Sequence, residues 1–299
     1  MSSTGTPDVV CVVCLKSVAL RSSVDPLSGA VTADPRSVGA SPADLAALEW
    51  ALRCSDAWGV EVVALSAGGS ATGTVLRDAL ASGASSACRV DVSETARSDG
   101  VAACLSRAIR QVVPAAQALV VCGDASIDRG SGSVPAFLAA ELDAVQALGL
   151  VALEVGESPS AGLRVVRRLD GGRREVLRVR PPAVLSVEGV SARLRRAPLV
   201  RTLDAAAADI AVVQAPPGSG MPDPVEPAGV APYSPRSHVV PPPPGPGALD
   251  RILALTGAGR ERPQSRALAV GAATAADEVL AALAAWGEIL PASERGSVQ

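Results

Sequence analysis

Histidine, lysine and aromatic side chains are the scarce materials of this chain. The single histidine, His238, lies in a proline-rich run, which argues against a Ser-His-Asp triad or a histidine-rich metal site. Lys16 is the only lysine, so a Schiff-base mechanism would have to use it, and nothing else in the sequence points there. Aromatic residues make up 2% of the chain, too few for a platform on which nucleic-acid bases stack. Charged residues are 19% and the net charge is −3, which leaves no basic footprint for nucleic acid and no polybasic signal for a membrane surface. No apolar run reaches about 18 residues and no basic n-region opens the sequence, so neither a membrane span nor secretion is expected. The expected location is cytoplasmic.

What is present is ample apolar material, 48% of 299 residues, enough for one large or two small domains. Cys11, Cys14, Cys54, Cys88, Cys104 and Cys122 all fall inside apolar strand or helix patterns, the placement of buried free thiols in a reducing compartment. Cys11 and Cys14 form a C-x-x-C. Residues three apart in a strand point to opposite faces, so the spacing does not make a redox or zinc pair.

Taken in order, the chain alternates buried-type strands with amphipathic helices. Asp8 to Leu15 reads as a strand, and VDPLSGAVTADP as an exposed hairpin or loop. Ser41 is a helix N-cap, with Pro42 at the first helical position and Asp44 at the third. Further strands are expected over 60–66, 87–92 and 118–122, with helices between them and another beginning near Val134. Four strand-loop-helix repeats predict an α/β fold: a doubly wound, mostly parallel sheet of Rossmann-like type, whose ligands bind at the carboxyl ends of the strands. Strands at 149–155 and 182–187, with a hairpin over 163–180 turning at Asp170-Gly171-Gly172, add antiparallel character.

RLRRAPLVRTL, residues 193–203, is a basic, leucine-bearing stretch that reads either as a connector or as an interaction loop. Proline and glycine then dominate to about residue 247, as in a semi-extended linker, before helices expected over 248–255 and 273–290. The division expected is a nucleotide-binding domain over 1–205, a linker over 206–247 and a C-terminal helical arm over 248–299.

The stretch AAQALVVCGDASIDRGSGSVP, residues 115–135, is the centre of this organisation. After the apolar run come Gly123, Gly130 and Gly132 with Ser126, Ser131 and Ser133. Such a loop is either a plain connection or a phosphate cradle, because glycine lets backbone N–H groups approach an anion and a helix N-terminus favours negative charge. It is neither a Walker loop nor a G-x-G-x-x-G fingerprint.

Several motifs in this order resemble the beta subunit of electron-transfer flavoprotein, over roughly residues 8–205. Val12-Val13-Cys14-Leu15-Lys16-Ser17-Val18 is similar to the family's V-x-V-K-x-V, Ser41-Pro42-Ala43-Asp44 to its N-P-[FY]-[DE], and Glu49-Trp50-Ala51-Leu52-Arg53 to its E-x-A-[LV]-[RK]. Leu65 to Gly69, Leu76 to Ser85, the D-G-G hairpin and the P-A-V-L-S-V strand also match. Gly123 to Pro135 resembles G-[KR]-Q-A-I-D-x-D-[ST]-[GA]-Q-[VT]-G. The family sheet is adenine nucleotide alpha hydrolase-like.

The resemblance implies a non-catalytic electron carrier. Its partner would be an electron-transfer flavoprotein alpha subunit bearing most of the FAD, its electron donor a flavin-dependent dehydrogenase, and its own crevice would hold AMP or a second FAD. By position, the nucleotide would contact Cys14, Ser41, Pro42, Ala43, Asp44, Ala67, Gly123, Asp128, Ser131, Gly132, Ser133 and Val134, and the donor would dock on Leu199. Ser41, Ala43, Asp124, Gly130, Ser133 and Pro135 depart from the family residues at their positions. So do Arg196 and Pro198 beside Leu199. These departures imply a divergent paralogue with altered nucleotide contacts and a donor other than a standard acyl-CoA dehydrogenase. Two other readings stay open: an adenine-nucleotide hydrolase or ligase using Asp124 and Asp128 on a metal, and a scaffold with no ligand.

Overall fold

Strands that are apolar on both faces need cover on both, and the chain supplies it with helices of alternating side. The computed structural model describes residues 9–93, 96–113, 117–214, 247–256 and 269–286, and the chain divides into two units, residues 1–234 and 235–299. In the first, β1 (Val9–Cys14) leads into two short antiparallel pairs, β2 (Ser17–Ala19) with β5 (Val38–Ala40), and β3 (Ser22–Val24) with β4 (Val31–Ala33). Then follow α1 (Pro42–Trp58), β6 (Val62–Ala67), α2 (Gly73–Ser82), β7 (Ser86–Asp91), α3 (Ser98–Val112), β8 (Gln117–Gly123) and α4 (Val134–Leu142). β9 (Val145–Val155), β10 (Leu163–Arg168), β11 (Arg174–Val179), β12 (Ala183–Val187), α5 (Leu199–Ala207) and β13 (Ala211–Gln214) complete it.

Nine of these strands form one sheet in the order β11-β10-β9-β12-β8-β1-β6-β7-β13. From β9 to β13 every pairing is parallel, while β10 is antiparallel to β9 and β11 to β10. Alternation along β1 sends Cys11 and Val13 into a core under α1 and α2, and Val12 and Cys14 into a second core under α3 and α4. β8 divides in the same way, Leu119 and Val121 against Val120 and Cys122. The doubly wound mixed sheet expected from the sequence is therefore the fold. The chain runs outward from β1 to β6 and β7 and returns to place β8 on the other side of β1, so the strand order reverses between β1 and β8. Open α/β sheets bind ligands at that reversal.

α1 is held at both ends by its own sequence. Ser41 Oγ accepts from the backbone N–H of Asp44 at 3.3 Å, and Gly59 ends the helix in the left-handed region at φ 67. β13 lies past residue 205, so the sheet reaches beyond the boundary expected for the first domain. Its four residues are half-buried at most, and a short edge strand carries no alternating pattern to read. β9 likewise begins at Val145, earlier than the expected Gly149.

The second unit contains α6 (Ala248–Thr256) and α7 (Ala272–Ala285). The proline-rich stretch with His238, and Leu290 of the expected last helix, lie outside the described residues. No helix among the described residues is long and apolar enough to cross a membrane.

Candidate functional site

A cavity of 660 Å³ opens at the carboxyl ends of β1, β6 and β8, where the strand order reverses. Among the described residues, its walls come from the strand ends Cys14–Lys16, Ala67–Gly69 and Cys122–Gly123. The loop from Asp124 to Ser133, the first residues of α3 and α4, and the short pairs at Ser17–Ala19, Ala33 and Val38 complete them. Of the residues proposed from the sequence, Cys14, Asp44, Ala67 and Gly123 line it on the strand side. Asp128, Ser131, Gly132, Ser133 and Val134 line it on the loop side.

Ser41, Pro42 and Ala43 do not line it. Ser41 is buried and spends its hydroxyl on the cap of α1. Ala43 lies under Gly123, where an added Cβ would sit 3.0 Å from the Ala43 Cβ and 2.6 Å from Asp44 Oδ1. Pro42 packs on Gly189 in the same manner, 3.0 Å from where its Cβ would be. The first turn of α1 therefore presents only Asp44 to the cavity.

The loop after β8 is shaped by its glycines. Gly130 and Gly132 sit at φ 65 and 60, and a Cβ on Gly132 would come within 2.7 Å of the Asp124 carbonyl oxygen. Only glycine takes that turn without moving the backbone. The turn brings three hydroxyls into a row: Ser98 to Ser131 at 3.4 Å and Ser131 to Ser133 at 3.1 Å. Ser133 is the N-cap of α4, yet its side chain makes no bond to the first turn, so its hydroxyl stays with the row.

Opposite charges meet across the opening. Lys16 Nζ donates to both carboxylate oxygens of Asp128, at 2.6 and 2.7 Å, and to Ser126 Oγ at 3.4 Å. Burial pushes the Asp128 carboxyl up, but the bonds from Lys16, Ser126 and the Arg129 backbone outweigh it and bring its pKa down to about 2. Asp44 is the reverse case. Burial raises it to about 6, only partly offset by hydrogen bonds from the backbone N–H of Lys16, from Ser41 and from the Gly123 N–H. Arg129 donates to the Ala96 carbonyl at 2.6 Å, closing the loop against the stretch before α3.

Lys16 and Ser98 were not among the sequence candidates. Lys16 directly follows a strand end and is the sole lysine, which is signal enough once anion binding is considered rather than Schiff-base chemistry. Ser98 opens the helix that follows β7, the same position relative to its strand as the loop after β8. A second depression, 520 Å³, lies at the amino ends of β9 and β12 beside Asp143, Arg178 and Pro182. That is the sheet end where parallel α/β folds do not place their ligands.

Leu199 is outside the cavity, at the start of α5 and 73% exposed, with Val200 and Leu203 exposed beside it. The segment before α5 is fixed to α1 by Glu49. This buried carboxylate accepts from Arg53 Nε at 2.9 Å, from the backbone N–H of Arg195 at 3.1 Å and from Arg195 Nε at 3.0 Å. Arg195 also reaches Asp56 at 2.9 Å. α5 packs on α2, so the leucine is presented by two elements of the core.

Comparison with known proteins adds two findings. A family model described as electron transfer flavoprotein domain matches residues 33–217. Protein FixA of Azorhizobium caulinodans is 29% identical over 207 residues, covering 67% of this chain and 73% of that protein. Protein FixA of Sinorhizobium fredii is 30% identical over 205 residues, covering 67% and 72%.

Proposed function

The chain belongs to the electron transfer flavoprotein domain family, and from that premise we propose that it is the beta-type subunit of a heterodimeric electron-transfer flavoprotein. It passes electrons from a flavin-dependent dehydrogenase to a downstream acceptor, pairs with an alpha-type subunit that carries most of the FAD, and holds an AMP-type nucleotide in its own crevice. The observation that carries the reading is the cavity where the strand order reverses. Its glycine-shaped loop, its row of Ser98, Ser131 and Ser133 hydroxyls and the Lys16 ammonium form a set of donors suited to a phosphate. Its volume falls in the range of about 300–1,000 Å³ usual for small-molecule sites.

In this reading Ser131, Gly132, Ser133 and Val134 take the phosphate and Lys16 neutralises it by leaving Asp128. Cys14, Ala67 and Gly123 bound the pocket at the strand ends. Asp44 holds the α1 end against β1 and β8 through the Lys16 and Gly123 N–H groups. FAD stays with the partner, and a second FAD in place of AMP is the other occupant to test. Leu199 is the docking leucine for the dehydrogenase. A hydrolase or ligase using Asp124 and Asp128 on a metal is disfavoured because, among the described residues, no three His, Cys, Asp or Glu side chains are grouped to hold a metal ion.

The test is co-expression with a flavin-bearing subunit encoded beside it. Visible flavin absorbance in the purified pair, absent from this chain alone, is expected. A colourless chain that fails to associate would contradict the reading.

A further inference from the structure

Two pairs of thiols face one another in this fold, and only one of them reaches a cavity. Cys11 of β1 meets Cys54 of α1 within the core under α1 and α2, where both are closed off from solvent at 0% and 1% exposure. Cys14 and Cys122 lie on the other face. They are the register partners at the ends of the parallel strands β1 and β8, so their Cα atoms are about 4.8 Å apart and their side chains project the same way. Both line the cavity, both are free, and each keeps a small exposed area toward it, at 8% and 5%.

We propose that Cys14 and Cys122 form a dithiol site in the crevice that takes a soft, thiophilic centre bridging the two sulfurs. The chemical class is a trivalent arsenical or a two-coordinate soft cation such as Cu(I), which thiolate ligands select over harder ions. The geometry favours a bridge over a disulfide. A disulfide needs an outside oxidant and Cβ atoms drawn to about 3.8 Å, which two paired strands resist. A bridging centre adds two bonds of about 2.3 Å between the sulfurs and leaves the strand spacing alone.

The step with an organic arsenical oxide balances without electron transfer. Two S–As bonds form, the As–O double bond breaks, and its oxygen leaves as water with the two thiol protons. The hydrogen bond with Cys14, then burial and the nearby Asp44 carboxylate, hold the Cys122 thiol well above the ordinary thiol value. The two thiols share this crevice with the proposed nucleotide, so the site is probed on the nucleotide-stripped chain.

The test uses the full reduced chain and phenylarsine oxide as the probe, in the presence of excess monothiol, read by native mass spectrometry. One arsenical per chain is expected to survive the monothiol. Retention should fall about 100-fold or more in Cys14→Ser and in Cys122→Ser, because each leaves a single sulfur without its chelating partner. Cys54→Ala should retain it. Should a serine variant fail to fold, digestion of the wild-type adduct gives the answer directly. The arsenical should join the peptide ending at Lys16, at Cys14 and not Cys11 when that peptide is fragmented, to the peptide that contains Cys122. No monothiol-resistant adduct on the wild-type chain, or an adduct that links Cys54 or survives Cys14→Ser, would overturn the site.

Discussion

Lys16 is the residue on which the charge of the crevice turns. It is bonded to Asp128 through both carboxylate oxygens, and in the nucleotide-bound chain it is proposed to exchange that partner for a phosphate. Removing it should leave an unpaired Asp128 facing the anion. Lys16→Met is therefore expected to weaken AMP binding by about 10- to 100-fold, the worth of a hydrogen bond to a charged group. Asp128→Asn should hold affinity level or improve it, because the ammonium then has no competing carboxylate. Calorimetric titration of nucleotide-stripped protein measures both, and equal losses in the two variants would contradict the exchange.

Asp44 gives a pH signature. Its pKa is raised by burial from 3.8 to about 6, so the folded state binds that proton more tightly than the unfolded chain. The associated stability is complete below about pH 3.8 and lost as pH rises through about 6. The loss amounts to roughly 3 kcal/mol for a shift of this size. Relative to Asp44→Asn, the wild-type chain should become less stable by about that amount between pH 4 and pH 8, measured by denaturant unfolding. A difference that does not change with pH would mean the carboxyl is not desolvated.

The loop from Asp124 to Ser133 and α4 behave as one element. The Gly132 backbone lies where a Cβ would strike the Asp124 carbonyl at 2.7 Å. Gly132→Val should therefore re-form the turn, separate the Ser131 and Ser133 hydroxyls, and lower AMP retention at least about tenfold. β8 and its pairing with β1 and β12 should remain, so far-UV circular dichroism should be unchanged. Retained nucleotide equal to wild type would count against the loop as the phosphate cradle.

How much of this was legible in the sequence varied by element. β1, β6 and β8 are apolar on both faces and announce themselves, and the glycines and serines after β8 mark their loop. Ser41 is readable as a cap, and its burial beneath the first turn of α1, with its hydroxyl on Asp44, keeps it out of the cavity lining. Ala43 and Pro42 were placed in the site by motif alone, and their packing on Gly123 and Gly189 is a long-range contact that no local pattern encodes. The ion pair of Lys16 with Asp128, 112 residues apart, was equally invisible.

At the scale of the whole molecule, the first unit carries both the crevice proposed for a nucleotide and the exposed start of α5, and the second unit contains α6 and α7. The crevice forms where the sheet reverses order, with α1 and α2 on one face and α3 and α4 on the other. Leu199 stands on α5, braced through Glu49 and Arg195 to α1. In the second unit α7 carries Val279 and Leu280 exposed, with Trp286 exposed at its C-cap. If that apolar face is what an alpha-type subunit covers, a chain ending before Ala273 should lose most of its association with that subunit while the sheet folds as before. Sizing of the mixed subunits by analytical ultracentrifugation checks it, and undiminished association would place the interface elsewhere.

The most direct measurement of the central claim is mass spectrometry of the small molecules released by denaturing the co-purified heterodimer. One AMP per pair alongside one FAD is the predicted result, with the AMP lost and the FAD kept in the Gly132→Val pair. A pair that releases FAD but no adenylate, or releases the same adenylate after that substitution, would contradict the account.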